Sequence, residues 1–307
     1  MPGAAKPGVV RFGPAGWDYP DWAGKVYPAP KPKGFDPLRY LAGFFDTVEI
    51  NSTFYRPATA KVAQGWAERV GERDRFRFTA KLWRRFTHER DTAWTTEEVD
   101  AVRAGLEPLA DAGKLGALLL QFPWSFRNTE QNREWMRDLA KAFRDYRLVV
   151  EVRHISFNEP DFYGELAASR VGIVNVDQPM FRNSLPPSAR ATSPAGYIRV
   201  HGRNYKDWFR KTAGRDERYD YLYSAAELKP WADRVKTLAS EPGVTDVYVV
   251  NNNHFAGQAV TNALMLEAEV TGKRLRVPEG LLATYPKELS GIALPAESTA
   301  GAQGRLI

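Results

Sequence analysis

The sequence predicts a single (β/α)8 TIM barrel with long loops after its sixth and seventh strands. Three observations carry that expectation. Eight short apolar runs of strand length recur along the chain, and helical periodicity fills several of the gaps between them. Most runs are near-continuous in Val, Ile, Leu or Phe, as parallel strands covered on both faces require. The length, 307 residues, is near the usual size of one such barrel.

The runs fall at 10–14, 47–52, 76–82, 116–122, 147–153, 171–177, 197–202 and 245–251. Between the second and third, Val62, Trp66 and Val70 repeat at i, i+4 and i+8. Val99, Val102, Leu106 and Leu109 line one helix face, as do Met136, Leu139 and Phe143 after an expected Asn128-to-Gln131 capping box. Leu228, Trp231, Val235 and Leu238 form another face. Ser224 with Glu227 has the pattern of a capping box there, yet Pro230 would then lie inside the helix, and a start near Pro230 is the alternative. Val260, Leu264 and Ala268 close the series. An open doubly wound sheet is the competing architecture, but Gly13-Pro14-Ala15-Gly16 after the first strand is not a dinucleotide fingerprint. Residues 178–196 and 203–223 are the long loops; both follow strands, so both are expected on the catalytic face. Residues 1–8 are expected as a disordered N-terminal tail, 9–287 as one domain and 288–307 as a flexible C-terminal tail.

An apolar fraction of 43% can build a large core. The net charge of +6 serves either solubility or an anionic ligand. Absence of cysteine excludes disulfides, thiolate metal sites and a thiol nucleophile. The start lacks a secretory signal and no apolar run approaches the ~20 residues of a membrane span, so no membrane partner is expected and the cytoplasm is the default. Oligomeric state is not legible.

Polar residues gather at the carboxyl ends of the runs. The stretch Phe45–Tyr55 sets the pattern, with Glu49 and Asn51 alternating against Val48 and Ile50. Lys81, Gln121, Glu151, Arg153, Asp177, His201, Arg203, Asn252 and Asn253 follow at later strand ends, and all four histidines (His88, His154, His201, His254) fall there or in the next loop. Convergence at one barrel mouth is the expectation. Glu151 and Arg153 share a side of their strand, and the plainer alternative is an ion pair plugging the mouth. His154 is out of phase and expected behind the strand. Asn51 and Gln121 could simply satisfy loop backbone groups. Lys81 is harder to dismiss, since a buried lysine is rare unless paired. Trp17, Tyr19, Tyr55, Trp83, Trp124 and Phe157 follow strand ends and either stack on a ligand or pack.

Three chemistries fit. The favoured one is a metal-independent enzyme of hydrolase or isomerase type, needing no cofactor, acting on a small phosphorylated or sugar-like anion. Glu49 and Glu151 would be acid and base across a barrel roughly 15 Å wide, with carboxyls about 6–8 Å apart, overlapping inverting glycosidases. His201 would move protons near neutral pH; Lys81, Arg153 and Arg203 would hold the anion. Asn51, Gln121, Asn252 and Asn253 would orient it, with Trp17, Tyr55, His88 and Asp177 also in contact. The second is a divalent-metal-dependent sugar isomerase or hydrolase using Glu151, Asp177 and His201. The third is a nucleic-acid-binding or nuclease-like barrel using the basic, aromatic 203–223 loop. His254 to Gln258, opening the last helix, is the expected phosphate site of the barrel.

The chain also resembles the YecE-like family, or domain of unknown function 72, over about Phe12 to Leu266. The resemblance rests on Gly16-Trp17-Asp18-Tyr19 with Trp22, Gly24 and Tyr27-Pro28, then on Val48-Glu49-Ile50-Asn51-Ser52-Thr53-Phe54-Tyr55. It continues through Phe78 to Lys81 with Thr87-His88, Leu120-Gln121-Phe122-Pro123 with Ser125-Phe126, and Val150-Glu151-Val152-Arg153-His154. Val200-His201-Gly202-Arg203 and Asn252-Asn253-His254 with Gly257, Ala259, Asn262 and Ala263 complete it. Such proteins tend to carry Thr-Ser where this chain has Pro14-Ala15, and an aromatic where it has Asn251. The resemblance implies a TIM barrel and a site location, without an established reaction.

Overall fold

Eight parallel strands alternate with helices, except between the sixth and seventh strands, through residues 6–295, the part of the chain that the computed structural model describes. In chain order they are β1 (Val9–Pro14), α1 (Pro37–Leu41), β2 (Thr47–Ile50), α2 (Ala60–Val70), β3 (Arg77–Lys81), α3 (Arg84–Thr87), α4 (Thr96–Asp111) and β4 (Leu115–Gln121). Then come α5 (Glu130–Ala142), β5 (Leu148–Glu151), α6 (Pro160–Ala168), β6 (Gly172–Asp177) and β7 (Ala195–Val200). The last are α7 (Arg215–Arg218), α8 (Ala225–Ser240), β8 (Asp246–Asn251), α9 (Gln258–Thr271), α10 (Glu279–Thr284) and α11 (Pro286–Leu289).

Each expected apolar run overlaps a strand. The sheet order β1-β8-β7-β6-β5-β4-β3-β2 brings the first two strands together at the seam of a TIM barrel. That seam is narrow: the parallel bridge is Ala15 with Glu49, and the Gly16 N–H donates to the Glu49 carbonyl at 2.8 Å. Gly13 permits it, because a Cβ there would sit 1.8 Å from the Thr47 carbonyl oxygen. Inside the barrel Ala117, Leu119, Val149, Val174, Val176 and Val250 pack with Tyr197 and Tyr248. A larger apolar layer fills the space between strands and helices. Arg11 and Arg147 both hold Asp246, at 2.5 and 2.6 Å, at the amino-terminal end of β8.

Two local expectations change, and one open choice is decided. The helix after β4 is capped by Thr129, whose hydroxyl accepts from the Asn132 N–H, one residue beyond Asn128. Asn128 instead donates its side-chain amide to the Ser156 carbonyl. Of the two starts weighed for α8, the Ser224–Glu227 capping box forms in both directions and Pro230 lies inside the helix, exposed. At the carboxyl end, residues 288–295 pack rather than trail: Leu289 is fully buried and Leu275 pairs with Ala293. Gly8 likewise bonds Ala239, whereas the tail residues 1–5 and 296–307 lie outside the described residues. No helix among the described residues is long and apolar enough to cross a membrane.

Candidate functional site at the barrel mouth

Alternation along β2, β5 and β7 aims Glu49, Glu151 and Arg199 into the barrel, and all three are buried. The Arg199 guanidinium bridges the two acids, Nη2 to Glu49 Oε1 and Nη1 to Glu151 Oε2, each at 2.6 Å. Such short charge-assisted bonds offset much of the cost of burying three charges. Tyr197, two residues back along β7, donates to Glu49 Oε2 at 2.9 Å and sits 2.8 Å from the Thr79 hydroxyl. Glu49 therefore lies deep, with both oxygens engaged.

Glu151 faces the mouth with Oε1, which Arg153 binds through Nη2 at 2.7 Å and His201 through Nε2 at 3.2 Å. Burial alone would raise this carboxyl, but Arg199, Arg153 and His201 hold it well below the usual carboxylate range. Asn252 Nδ2 donates to His201 Nδ1 at 3.0 Å, which leaves the ring proton on Nε2, toward Glu151. Burial, aided by Arg199 and Arg153 against the pull of Glu151, lowers His201 to about 3. The ring is therefore neutral across the physiological range, unlike the near-neutral shuttle that its residue type suggests.

Lys81 ends β3 beside this cluster. Its ammonium bonds the neutral Gln121 Oε1 at 3.1 Å and lies 4.1 Å from the centre of the Phe54 ring. Desolvation first, then the Arg199 charge, lower it to about 7, with Glu49 and Glu151 opposing. His88 stands edge-on to the other partner, Phe54, at 4.9 Å, and burial plus Lys81 and Arg153 lower it to about 4. Above them the long loop after β7 brings Trp208 down, buried, with its ring 5.5 Å from the Arg153 guanidinium and 6.2 Å from the His201 ring.

Seven expected residues thus meet at one mouth: Glu49, Lys81, Gln121, Glu151, Arg153, His201 and Asn252. Asp177 and Arg203 form a separate cluster, Arg203 Nε and Nη2 both reaching the Asp177 carboxylate at 2.9–3.2 Å. Asn253 supports the loop over that cluster through the Tyr221 carbonyl and Asn262. Asn51 is half-buried past the end of β2, Trp17 packs edge-on against Trp66 at 5.8 Å, and Tyr55 is 63% exposed at the rim. His154 caps the short turn after β5 through Ser156. Among the described residues no group of three or more His, Asp or Glu side chains is placed to hold a metal ion. The expected phosphate site ahead of α9 is filled from within: Ala256 N–H donates to Asp21 at 2.6 Å, and Gln258 binds Asp220 and Tyr221.

The family model described as "Protein of unknown function DUF72" matches residues 11–287. The chain belongs to the DUF72 family. A DUF72 protein of Thermotoga maritima is 32% identical with a TM-score of 0.73, covering 84% of this chain and 98% of its own. One from Enterococcus faecalis, 24% identical with a TM-score of 0.74, covers 85% of this chain and 95% of its own, and shows the fold alone. No curated protein matches the chain. Membership in DUF72 assigns no reaction, so the chemistry rests on the mouth itself.

Arg199, Tyr197 and Trp208 were not among the residues expected at this site. A signal for the first was present: Arg199 sits between Tyr197 and His201 at period two, on a strand whose other face is Ile198 and Val200. Trp208 had none, since its place depends on how a long loop folds back.

Proposed function

We propose that this DUF72 barrel is an enzyme of hydrolase or isomerase type, working without a metal on a small phosphorylated or sugar-like anion held at the carboxyl face. One observation carries the reading. Three cations, Lys81, Arg153 and Arg199, face two carboxylates, Glu49 and Glu151, and guanidiniums already bind both acids. Lys81 is left with a neutral amide as its hydrogen-bond partner, so protonated Lys81 is surplus positive charge at an opening. An anion is the complement. The Arg199 guanidinium between the two carboxylates takes the space an inverting glycosidase leaves for water, which favours proton transfer at Lys81 over a two-carboxylate mechanism. Glu151, His201 and Asn252 then act by holding Arg153 and the ring in place.

The test is a thermal-shift titration with inorganic phosphate, sulfate and a set of sugar phosphates, on the natural protein and on Arg153→Gln and Lys81→Met. Saturable stabilisation that both substitutions abolish supports the reading; equal response in all three proteins overturns it. The nucleic-acid reading is favoured by Tyr205 and Phe209, which are half-exposed beside the exposed Lys206 and Lys211. Against it, Arg203 and Arg210 of the same loop are spent on Asp177, Asp207 and Glu217. Affinity for a single-stranded oligonucleotide that falls by orders of magnitude between 50 and 200 mM salt would favour it.

A further inference from the structure

Resting on the anion reading, we infer that Lys81 is a nucleophilic amine that forms an imine with an aldehyde or ketone carrying a phosphate or carboxylate group. The geometry that points there is the company Lys81 keeps. The charged and titratable groups facing it are Glu49 from β2, His88 after β3, Glu151 at the end of β5 with Arg153 just past it, and Arg199 from β7. Both acids are bound to arginines, so Lys81 breaks no ion pair when it loses its proton. Its hydrogen-bond acceptor among the described residues, Gln121 Oε1, is neutral and accepts equally from an amine. The lone pair that deprotonation exposes can then turn to the mouth, since the residue is only partly buried.

Desolvation first, with Arg199 and Arg153 adding to it against Glu49 and Glu151, lowers the amine to about 7, so much of it is neutral and reactive at physiological pH. In the step, the Nζ lone pair bonds to the carbonyl carbon and the C=O π pair moves to oxygen, which takes up protons and leaves as water. One proton comes from Nζ and one from solvent, and the product is a protonated C=N bond. That cation inherits the Phe54 face at 4.1 Å and the field of Glu49 and Glu151. Arg153, at the rim side of Glu151, is placed for the anionic group of the same molecule.

The experiment is borohydride trapping followed by intact-mass and peptide mapping. The probes are glyceraldehyde 3-phosphate, pyruvate and unphosphorylated glyceraldehyde. The expected result is one reduced adduct per chain on Lys81 with the charged probes, competed by inorganic phosphate, and far weaker with glyceraldehyde. Its rate should level off above about pH 7, whereas ordinary solvent-exposed amines keep gaining reactivity toward about pH 10. Lys81→Arg should lose the adduct; if that variant misfolds, phosphate competition in the natural protein still decides. Adducts spread over surface lysines, with Lys81 not enriched, overturn the inference. If phosphate still raises the melting temperature in that case, the anion reading survives and only the covalent step falls.

Discussion

Replacing Arg199 by Met removes the one group that joins Glu49 to Glu151 and leaves two buried carboxylates short of a counter-charge. Breaking a buried pair in this way costs about 3–5 kcal/mol. With about 2.1 cal/mol/K of unfolding entropy per residue, a chain of this length loses roughly 5–8 °C of melting temperature for that cost. The loss should also depend on pH with a definite sign. In the natural protein Glu151 is held well below its unfolded value, so its contribution is complete above about pH 4.5 and is lost as pH falls through the lower, folded value. In Arg199→Met Glu151 loses one of the charges holding it down and protonates more readily, and the gap between the two proteins should narrow steadily from pH 7 to pH 4. Calorimetry at several pH values reads both effects, and adding Glu49→Gln to Arg199→Met should recover part of the loss. A melting temperature within about 1 °C of the natural protein at pH 7, or a gap independent of pH, refutes the bridge as described.

Gly13→Ala drives a Cβ to 1.8 Å from the Thr47 carbonyl oxygen and should cost at least about 1–3 kcal/mol in urea denaturation; unchanged stability would mean that β1 and β2 do not approach as closely as described. Ser224→Ala should cost about 1 kcal/mol and Ser224→Gly only a few tenths, because the capping hydroxyl at α8 is the group removed. Lys81→Met tests the lowered amine by linkage. Between about 7 and the usual lysine value the unfolded chain binds the extra proton, so natural stability should rise with pH there relative to the variant, and parallel curves would count against it.

The fold was legible because burial on both faces leaves long apolar runs, and a barrel repeats that pattern at every strand. Strand ends came within a few residues, as at β5, where the run 147–153 contains Leu148–Glu151. The α5 cap was misplaced by one position because Asn128 and Thr129 are both good caps, and the choice turned on Ser156, remote in sequence. The site was legible where inward polar residues sit at strand ends, as with Glu151 and Lys81. It was not legible where a partner lies one layer deeper: Arg199, inside an apolar run, decides what both glutamates can do. The residue type of His201 suggested a titrating group, but burial first, with Arg199 and Arg153 beside it, keeps the ring neutral, and the bond from Asn252 directs its proton to Nε2.

The order of these groups along the barrel axis explains why Lys81, rather than a glutamate, carries the chemistry proposed here. Arg199 anchors two charges in the interior and so preorganises Glu151, which in turn holds Arg153 and His201 at the opening. Each link stabilises the ionised carboxylate, and a carboxylate so stabilised is a weak base. Desolvation, aided by the same arginine charges, pushes Lys81 toward its neutral form against the pull of the two glutamates. The arginine charges thus lower both the Glu151 carboxyl and the Lys81 amine, with opposite consequences for reactivity. In the function proposed here, burial together with the arginine beneath the mouth leaves the neighbouring lysine poised to exchange a proton at neutral pH.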